Sequence, residues 1–467
     1  MTHVPQPSPY RPETAIHRLG DAFYDEVAPA DFPQTVLRFR NDRWASAVGL
    51  AALDDAAWLK HFGRFEPLPD NLPHPLALRY HGHQFRVYNP DLGDGRGFLF
   101  AQLRDDRDRL LDLGTKGSGR TPYSRFADGR LTLKGGVREV LATEMLEALG
   151  VDTSKSFSLI ETGEALDRND EPSPTRSAVL VRLSHGHIRI GSFQRLAYLG
   201  ETADILRLAD YCLESFFGEA GGQDGPIRLL EHVAAGAARL AASYIAAGFV
   251  HGVLNSDNIA ITTESFDYGP WRFTPHWDTS FTAAYFDETG LYAFGRQPEA
   301  IHWDVVQLAA AFREVAQLEQ LKPPLDAFPS RFQEELRGAL MARLGVAPST
   351  AESDAALLRS IETALSARTV TIDRFFFDWR GGGRRGPSPA DEAYRAEPFA
   401  AFVELIVGYA SAATPDHPYW SDPEPCSMHI DEVEAIWSAI DERDDWSDFH
   451  KKIEAVRRMG EAMRSGA

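Results

Sequence analysis

A chain of 467 residues is too long for one ordinary hydrophobic core, so two or three structural units are expected. Its 43% apolar and 25% charged composition is that of a globular protein, and a formal charge of −20 argues against a nucleic-acid partner, which needs a basic footprint. Two distant cysteines, Cys212 and Cys426, exclude a disulfide framework or cysteine-based zinc site, and no apolar stretch approaches a membrane span, so a cytoplasmic protein, favoured as a monomer, is expected.

Residues 1–75 read as an irregular N-terminal wrap. Prolines cluster there, the opening MTHVPQPSPYRPET has no apolar core for secretion, and only residues 44–62 show helical spacing. Residues 76–200 read as a β-rich unit with one helix. Strands at 85–88 and 97–103 are expected to pair across the glycine-rich turn NPDLGDGRG, and 110–116 returns as a strand ending in a lysine. A polar loop from Gly117 to Arg130 precedes a helix over 133–149, where Val137, Val140, Leu141, Met145, Ala148 and Leu149 recur at helical spacing and Gly150 provides the stop. Three more strands are expected within 156–193, in FSLI, SAVLVRL and HIRIGSF. Residues 201–325 carry helical patterns at 202–218, 226–247 and 300–318, with a short strand at 259–261. Residues 326–467 read as a helical extension broken by a glycine- and arginine-rich loop, 380–387, expected to be mobile. The class is α+β.

Several residues have the right chemistry for a phosphate-handling site. Gly93 and Gly95 let backbone amides approach a ligand and Arg96 offers a fork of donors, although a plain hairpin turn would use the same glycines. Lys116, at a strand end, can reach phosphates or lie on the surface. A carboxylate on the next helix would hold it; Glu139 and Glu144 are both in range. The helical wheel puts Glu144 in the apolar stripe and Glu139 nearly opposite, so periodicity favours Glu144. Arg182 and Arg189 come from apolar strand-like segments and need an anion, either a phosphate or a local acid. Asp257, Asn258 and Asp267 offer carboxylate and amide oxygens suited to a hard cation, and a carboxylate there can accept a proton from an attacking hydroxyl. A loop held by Asx turns has the same composition. His81 with His83, and His185 with His187, could share a strand face, but without a third zinc ligand packing is the better reading. Neither cysteine has an activating context and there is no G-x-S-x-G elbow.

The order of glycine-rich turn, strand lysine, helix glutamate, helical part, acidic loop and Asp-Tyr-Gly is that of a protein kinase. Against the kinase pattern His-Arg-Asp-x-x-x-x-Asn, His251 and Asn258 align, but Val253 stands where the catalytic Asp belongs, and Asp257 is the near substitute. The motifs YHGHQF (80–85), NPDLGDGR (89–96), TKGSGRTPYSR (115–125), ADGR (127–130), VREVLATE (137–144), HGVLNSDN (251–258) and DYGP (267–270), with Arg182 and Arg189, resemble the selenoprotein O (SelO) family of kinase-like protein adenylyltransferases over about residues 20–310. The resemblance implies a two-lobed protein-kinase-like fold with N-terminal wrap and helical C-terminal extension. It implies ATP bound in a flipped orientation, with AMP passing to a Ser, Thr or Tyr hydroxyl of a target protein and pyrophosphate leaving. On this resemblance Gly93, Gly95, Arg96, Lys116, Asp128, Gly129, Arg182 and Arg189 bind ATP, Glu139 pairs with Lys116, and Asp257 accepts the proton. Asn258 and Asp267 hold Mg2+ or Mn2+, with Asp267 also near the nucleotide. A kinase-type phosphotransferase and a silent nucleotide-binding module are the rival readings. Many family members end near a cysteine or selenocysteine; this chain ends Met-Arg-Ser-Gly-Ala, so redox control through a terminal thiol is not expected.

Overall fold

Short apolar segments assemble into one large antiparallel sheet in the computed structural model, which describes residues 8–169, 171–413 and 416–465. Residues 1–7 of the expected wrap and the terminal Gly466–Ala467 lie outside the described residues. The N-terminal stretch supplies β1 (Pro12–Glu13), β2 (Tyr24–Glu26) and β3 (Val36–Arg40), so it is part of the sheet and not only a wrap. Helices α1 (Asp42–Ala47) and α2 (Asp55–Phe62) follow. Next come β4 (Leu76–Leu78), β5 (Gly82–Gln84), β6 (Val87–Asn89), β7 (Leu99–Arg104), β8 (Leu110–Lys116) and β9 (Leu131–Thr132). Helix α3 (Leu133–Ala148) precedes β10 (Lys155–Leu166) and β11 (Thr175–Ser184). The strand order is β2-β4-β7-β8-β11-β10-β3, with β1 added on β7 and β9 on β11.

Side-chain alternation gives this sheet two different faces. On β11, Val179, Val181 and Leu183 enter a cluster with Trp58 and Phe62 of α2, Phe65, Phe98, Phe100 and Phe157, while Ala178 and Leu180 face α3. Each fully buried aromatic there stabilises the fold by about 1.5–3 kcal/mol relative to exposure. The α3 face also receives the even-numbered positions of β8 and β11, which sets up the site described below.

Helix α3 starts with the Thr132 side chain accepting from the Gly135 amide and ends before Gly150, at φ +80°. It is buried nearly all round: within it only Lys134, Gly135 and Glu147 escape full burial. Beyond β11 the chain becomes helical: α4 (Ile190–Leu199), α5 (Thr202–Cys212) and the long α6 (Gly225–Ala247). Two short strands, β12 (Phe249–Val250) and β13 (Arg272–Phe273), pair with each other. Helices α7 (Gln297–Phe312), α8 (Leu318–Leu344), α9 (Ala351–Ser366), α10 (Ile372–Asp378), α11 (Asp391–Tyr394), α12 (Glu397–Ile406), α13 (Ile430–Arg443) and α14 (Ser447–Arg464) complete the chain. The class is therefore mixed α+β, as expected. Among the described residues no helix is long and apolar enough to cross a membrane.

Four local expectations are corrected. Residues 85–88 do not pair with 97–103: β5 and β6 form their own hairpin around Phe85 and Arg86, both at positive φ, while β7 joins β4 and β8. The 187–193 segment is not a strand, because its apolar residues open α4, whose Ile190, Phe193 and Leu196 recur at helical spacing. At 259–261 only Ala260 forms a bridge, to Arg189. The 380–387 loop is tied down: the Arg385 guanidinium stands 4.0 Å from the Phe377 ring centre, Arg384 pairs with Asp391 at 2.5 Å, and Arg380 donates to the Arg343 carbonyl at 2.9 Å.

Candidate functional site

Strand register brings the basic residues together. Lys116 lies opposite Leu180 and Arg182 opposite Gly114, so both point to the α3 side of the sheet. Lys116 Nζ donates to Glu139 Oε2 at 2.5 Å and to Asp267 Oδ1 at 2.8 Å. Arg182 Nη1 approaches Glu139 Oε1 at 3.4 Å and Asp267 Oδ1 at 3.3 Å. Two cations thus bridge two carboxylates. Burial alone would raise the Asp267 pKa, but Lys116, Arg182, Arg96 and Arg189 together outweigh it and hold this carboxyl well below its ordinary range. Asp267 sits at φ +61°, a left-handed conformation that Asp tolerates better than most residues.

The helix pairing resolves in favour of Glu139. Because α3 is buried on all sides, the apolar stripe does not identify its inner face. Glu139 faces the sheet, and Glu144 faces α14, where Arg457 Nη2 reaches its Oε1 at 2.6 Å.

Arg189 enters from the start of α4, where Ile190 N donates to Ile259 O at 3.0 Å and Ile261 N donates to Ile188 O at 2.9 Å. These bonds fix α4 to the segment after Asn258. The Arg189 guanidinium donates to Asp94 Oδ1 at 3.0 Å, and to Tyr80 OH and the Asp257 carbonyl at 3.1 Å each. It lies 4.3 Å from the Tyr80 ring centre and 5.0 Å from that of Phe266. Tyr80, Asp94 and Phe266 were not singled out by sequence reasoning. Tyr80 and Asp94 stand inside quoted motifs, whereas Phe266 carried no signal beyond its place before Asp267. The Nε atoms of both Arg182 and Arg189 are buried without a hydrogen-bond partner among the described residues.

The glycine-rich turn is packed against the 121–124 segment. A Cβ on Gly93 would stand 2.3 Å from Cγ of Tyr123, and one on Gly95 would stand 2.9 Å from the Tyr123 carbonyl. Thr121 Oγ1 donates to Asp94 O at 2.5 Å, Ser124 Oγ donates to Gly95 O, and Gly117 N donates to Arg96 O at 2.7 Å. Tyr123 is in turn bonded through its hydroxyl to Asp25, which pairs with Arg79 at 2.5 Å. Gly93, Gly95, Arg96, Lys116, Arg182, Arg189 and Asp267 all line one cavity of about 340 Å³.

Other candidates stand around this cavity without lining it. Glu139 acts on it through Lys116 and Arg182. Asp128 accepts from Arg168 at 2.8 Å and from the Arg130 amide at 2.9 Å, beside a separate open depression. Gly129, at φ +71°, lets the chain pass Gly119: a Cβ there would lie 2.2 Å from the Gly119 carbonyl oxygen. Asp128 and Gly129 directly follow Ala127, which lines the main cavity, without lining it themselves.

Asn258 closes a 3-10 turn, Ser256–Asn258, with its amide accepted by Asn255 O at 2.8 Å and its Nδ2 donating to Val253 O at 3.1 Å. Asn258 Oδ1 takes no hydrogen bond from the described residues. His251 is buried, with Nε2 3.0 Å from Phe266 O, and so ties this loop to the residue before Asp267. The β5–β6 hairpin covers the loop: His83 N donates to Ser256 Oγ at 2.8 Å and Phe85 N to Asn255 Oδ1 at 3.1 Å. A Cβ on Gly82 would lie only 3.0 Å from Cβ of Asp257. Under this cover Asp257 Oδ1 has no hydrogen-bond partner among the described residues, and burial, partly opposed by Arg189, pushes its carboxyl up to about 6. The paired histidines serve contacts of this kind: His81 Nδ1 meets Tyr88 OH at 2.8 Å, and His187 lies 3.5 Å from Asp112.

The model of the family described as protein adenylyltransferase SelO matches residues 9–384. A protein nucleotidyltransferase YdiU of Gloeobacter violaceus is 42% identical over 462 residues, spanning 96% of this chain and 95% of the relative. One from Trichodesmium erythraeum is 41% identical over 472 residues, spanning 95% and 98%. One from Trichormus variabilis is 38% identical over 477 residues, spanning 96% of each. The protein is an enzyme of the nucleotidyltransferase class. The chain belongs to the SelO family of protein adenylyltransferases, and ATP is the substrate of such an enzyme.

Proposed function

We propose that this protein transfers AMP from ATP to the hydroxyl of a Ser, Thr or Tyr on a target protein. The observation that carries the reading is the Lys116–Arg182 pair bridging Glu139 and Asp267, with Arg189 at the same cavity and Asp257 under the adjoining hairpin. The proposed frame is a two-lobed kinase-like fold: residues 76–200 and 201–325 are the lobes, 1–75 the wrap and 326–467 the extension.

In the proposed step the target oxygen attacks the α-phosphorus. The new O–P bond forms as the bond from the α-phosphorus to the bridging oxygen breaks, pyrophosphate leaves, and the hydroxyl proton passes to Asp257 Oδ1. Among the described residues that oxygen has no internal partner to displace. Lys116, Arg182 and Arg189 stabilise the charge gathered on the departing pyrophosphate; the Nε groups of the two arginines, unpartnered among the described residues, supply donors suited to phosphate oxygens. Gly93, Gly95 and Arg96 hold the rest of the polyphosphate, and Asp128 and Gly129 contribute by shaping the loop beside it.

Mg2+ or Mn2+ fits the donor set formed by Asn258 and Asp267. Asn258 is oriented through Nδ2, and Asp267 meets both cations through Oδ1, leaving one oxygen on each. Among the described residues no three His, Cys, Asp or Glu side chains are grouped to hold a metal, but one carboxylate and one amide suffice when phosphate oxygens complete the shell. The ion, when bound, neutralises charge on the phosphates. The two free cysteines suit a reducing, cytoplasmic setting.

A kinase-type γ-phosphate transfer is disfavoured by Val253, whose carbonyl anchors Asn258 and whose side chain cannot take a proton. ATP labelled at the α- or the γ-phosphate separates the readings. Label from the α position is expected on protein with Mg2+ or Mn2+, with pyrophosphate released and incorporation abolished in Asp267→Ala. Transfer of the γ label instead would overturn AMP transfer, and no turnover with either metal would favour a silent module.

A further inference from the structure

We infer that Arg125 is a further catalytic residue, its guanidinium pairing with the non-bridging oxygens of the α-phosphate as AMP passes to the target hydroxyl. This rests on the AMP-transfer reading and adds the group that meets charge at the reacting phosphorus.

Among the described residues five cations line the main cavity: Arg96, Lys116, Arg125, Arg182 and Arg189. Three are buried and bound to internal carboxylates, Lys116 and Arg182 to Glu139 and Asp267, and Arg189 to Asp94. Arg125 is exposed, and its side chain makes no hydrogen bond or ion pair with the described residues. An exposed arginine alone is ordinary, but the backbone beneath this one is not. Two successive turns meet at Ser124, closed by Ser124 N donating to Thr121 O at 3.2 Å and Ala127 N to Ser124 O at 2.8 Å. The Ser124 hydroxyl donates to the Gly95 carbonyl and so ties both turns to the glycine-rich turn. Arg125 is the first central residue of the second turn, at φ +53°, where glycine is favoured and a side chain is strained. The fold thus keeps a cation without an internal partner at the cavity wall, in a conformation that costs stability.

Position assigns the partner. A target protein reaches the cavity only from solvent, so in AMP transfer the α-phosphorus lies towards the open side, where the exposed Arg125 stands. The β- and γ-phosphates then lie towards the buried Lys116, Arg182 and Arg189. Arg125 also acts electrostatically on Asp257, drawing its carboxyl down against the effect of burial, so the proton acceptor lies within the field of this guanidinium. As the target oxygen bonds to the α-phosphorus and the bond to the bridging oxygen breaks, negative charge is shared by the two non-bridging oxygens. A planar fork of N–H donors matches that pair of oxygens. Arg125 stays protonated throughout, the hydroxyl proton passes to Asp257, and pyrophosphate leaves.

The full-length protein is assayed with ATP labelled at the α- or the γ-phosphate, Mg2+ or Mn2+, and casein as acceptor, with label on the enzyme itself also counted. Arg125→Ala and Arg125→Gly are each expected to lower kcat for α-label transfer by about 100-fold, with affinity for α,β-methylene ATP within about threefold of wild type. Arg125→Lys keeps the charge without the fork and is expected to lose about tenfold. Millimolar guanidinium ion is expected to restore Arg125→Gly by about tenfold, and equal sodium chloride is not. Because glycine relieves the turn, Arg125→Gly is expected to melt at or above the wild-type temperature. Phe126→Ala, next in the turn and fully exposed, is expected to leave transfer unchanged. Transfer retained by the Ala and Gly variants overturns the inference and leaves AMP transfer standing. So does a loss confined to analogue affinity. So does a loss of transfer that tracks a lower melting temperature in both variants without guanidinium rescue, which gives Arg125 a structural role. Wild-type transfer of the γ label, or of neither label, sinks the AMP-transfer reading and this inference with it.

Discussion

Glu139 is buried with no exposed surface, and its two oxygens face Lys116 and Arg182. Replacing it by Gln keeps the shape but removes the charge that orients both cations. Glu139→Gln is expected to reduce transfer of α-labelled AMP by roughly 100-fold, with the fold retained by circular dichroism. A second buried acid has a pH consequence. Glu264 accepts from the His185 amide at 2.7 Å and lies 3.9 Å from Lys155, and burial pushes its pKa up to about 7 from an ordinary 4.5. The folded state therefore holds this proton more tightly than the unfolded chain. The stabilisation is complete below about pH 4.5 and fades as pH rises to about 7, after which the carboxylate is a constant burden. Glu264→Gln is expected to raise the melting temperature at pH 8 relative to wild type, and to do so less at pH 5, as read by thermal denaturation. Neither buried acid announces itself by periodicity. Glu139 was legible only through the VREVLATE motif, because an apolar stripe distinguishes faces only when one face is wet.

At the scale of elements, α3 is clasped between the sheet and the C-terminal helices. Arg457 Nη2 meets Glu144 at 2.6 Å, and Lys134 reaches Glu434 of α13 at 2.7 Å. Arg457→Ala leaves the buried Glu144 carboxylate without its principal cation, so a loss of about 3–5 kcal/mol is expected in urea denaturation. Glu144→Gln, which removes the charge together with the pair, is expected to destabilise less and to leave AMP transfer within about threefold of wild type. The long elements were readable: 110–116 as a strand, and 133–149 and 226–247 as helices, because each sustains one period over many residues. Short apolar runs were not. HIRIGSF reads equally as strand or helix, and the winning conformation is set by packing on α7, where Phe193 meets Phe312 with ring centres 5.0 Å apart.

Across the whole molecule, one apolar core joins Leu99 and Leu180 of the sheet, Val140 and Leu141 of α3, Leu229 and Val233 of α6, and Val433, Ile440, Phe449 and Val456 of α13 and α14. The family model stops at residue 384, yet the helices beyond it complete the packing of the helix that carries Glu139. A chain ended after His429 is expected to lose its cooperative calorimetric transition, while the intact chain melts in a single one. The extension was legible as helical from its sequence, but its docking was not: Lys134 and Glu434 are 300 positions apart, a relation that local pattern does not encode.

The turn at Gly93 and Gly95 has one more consequence. Glycine-rich loops invite the picture of a flap that folds down over its ligand. Here the turn is wedged between the Tyr123 ring and the hydroxyls of Thr121 and Ser124, and that ring is fastened through Asp25 to Arg79. The glycines work as clearance, the only residues thin enough to slide past an aromatic plate. A side chain at either position would collide with that segment, so the turn lies against residues 121–124 rather than standing free of them.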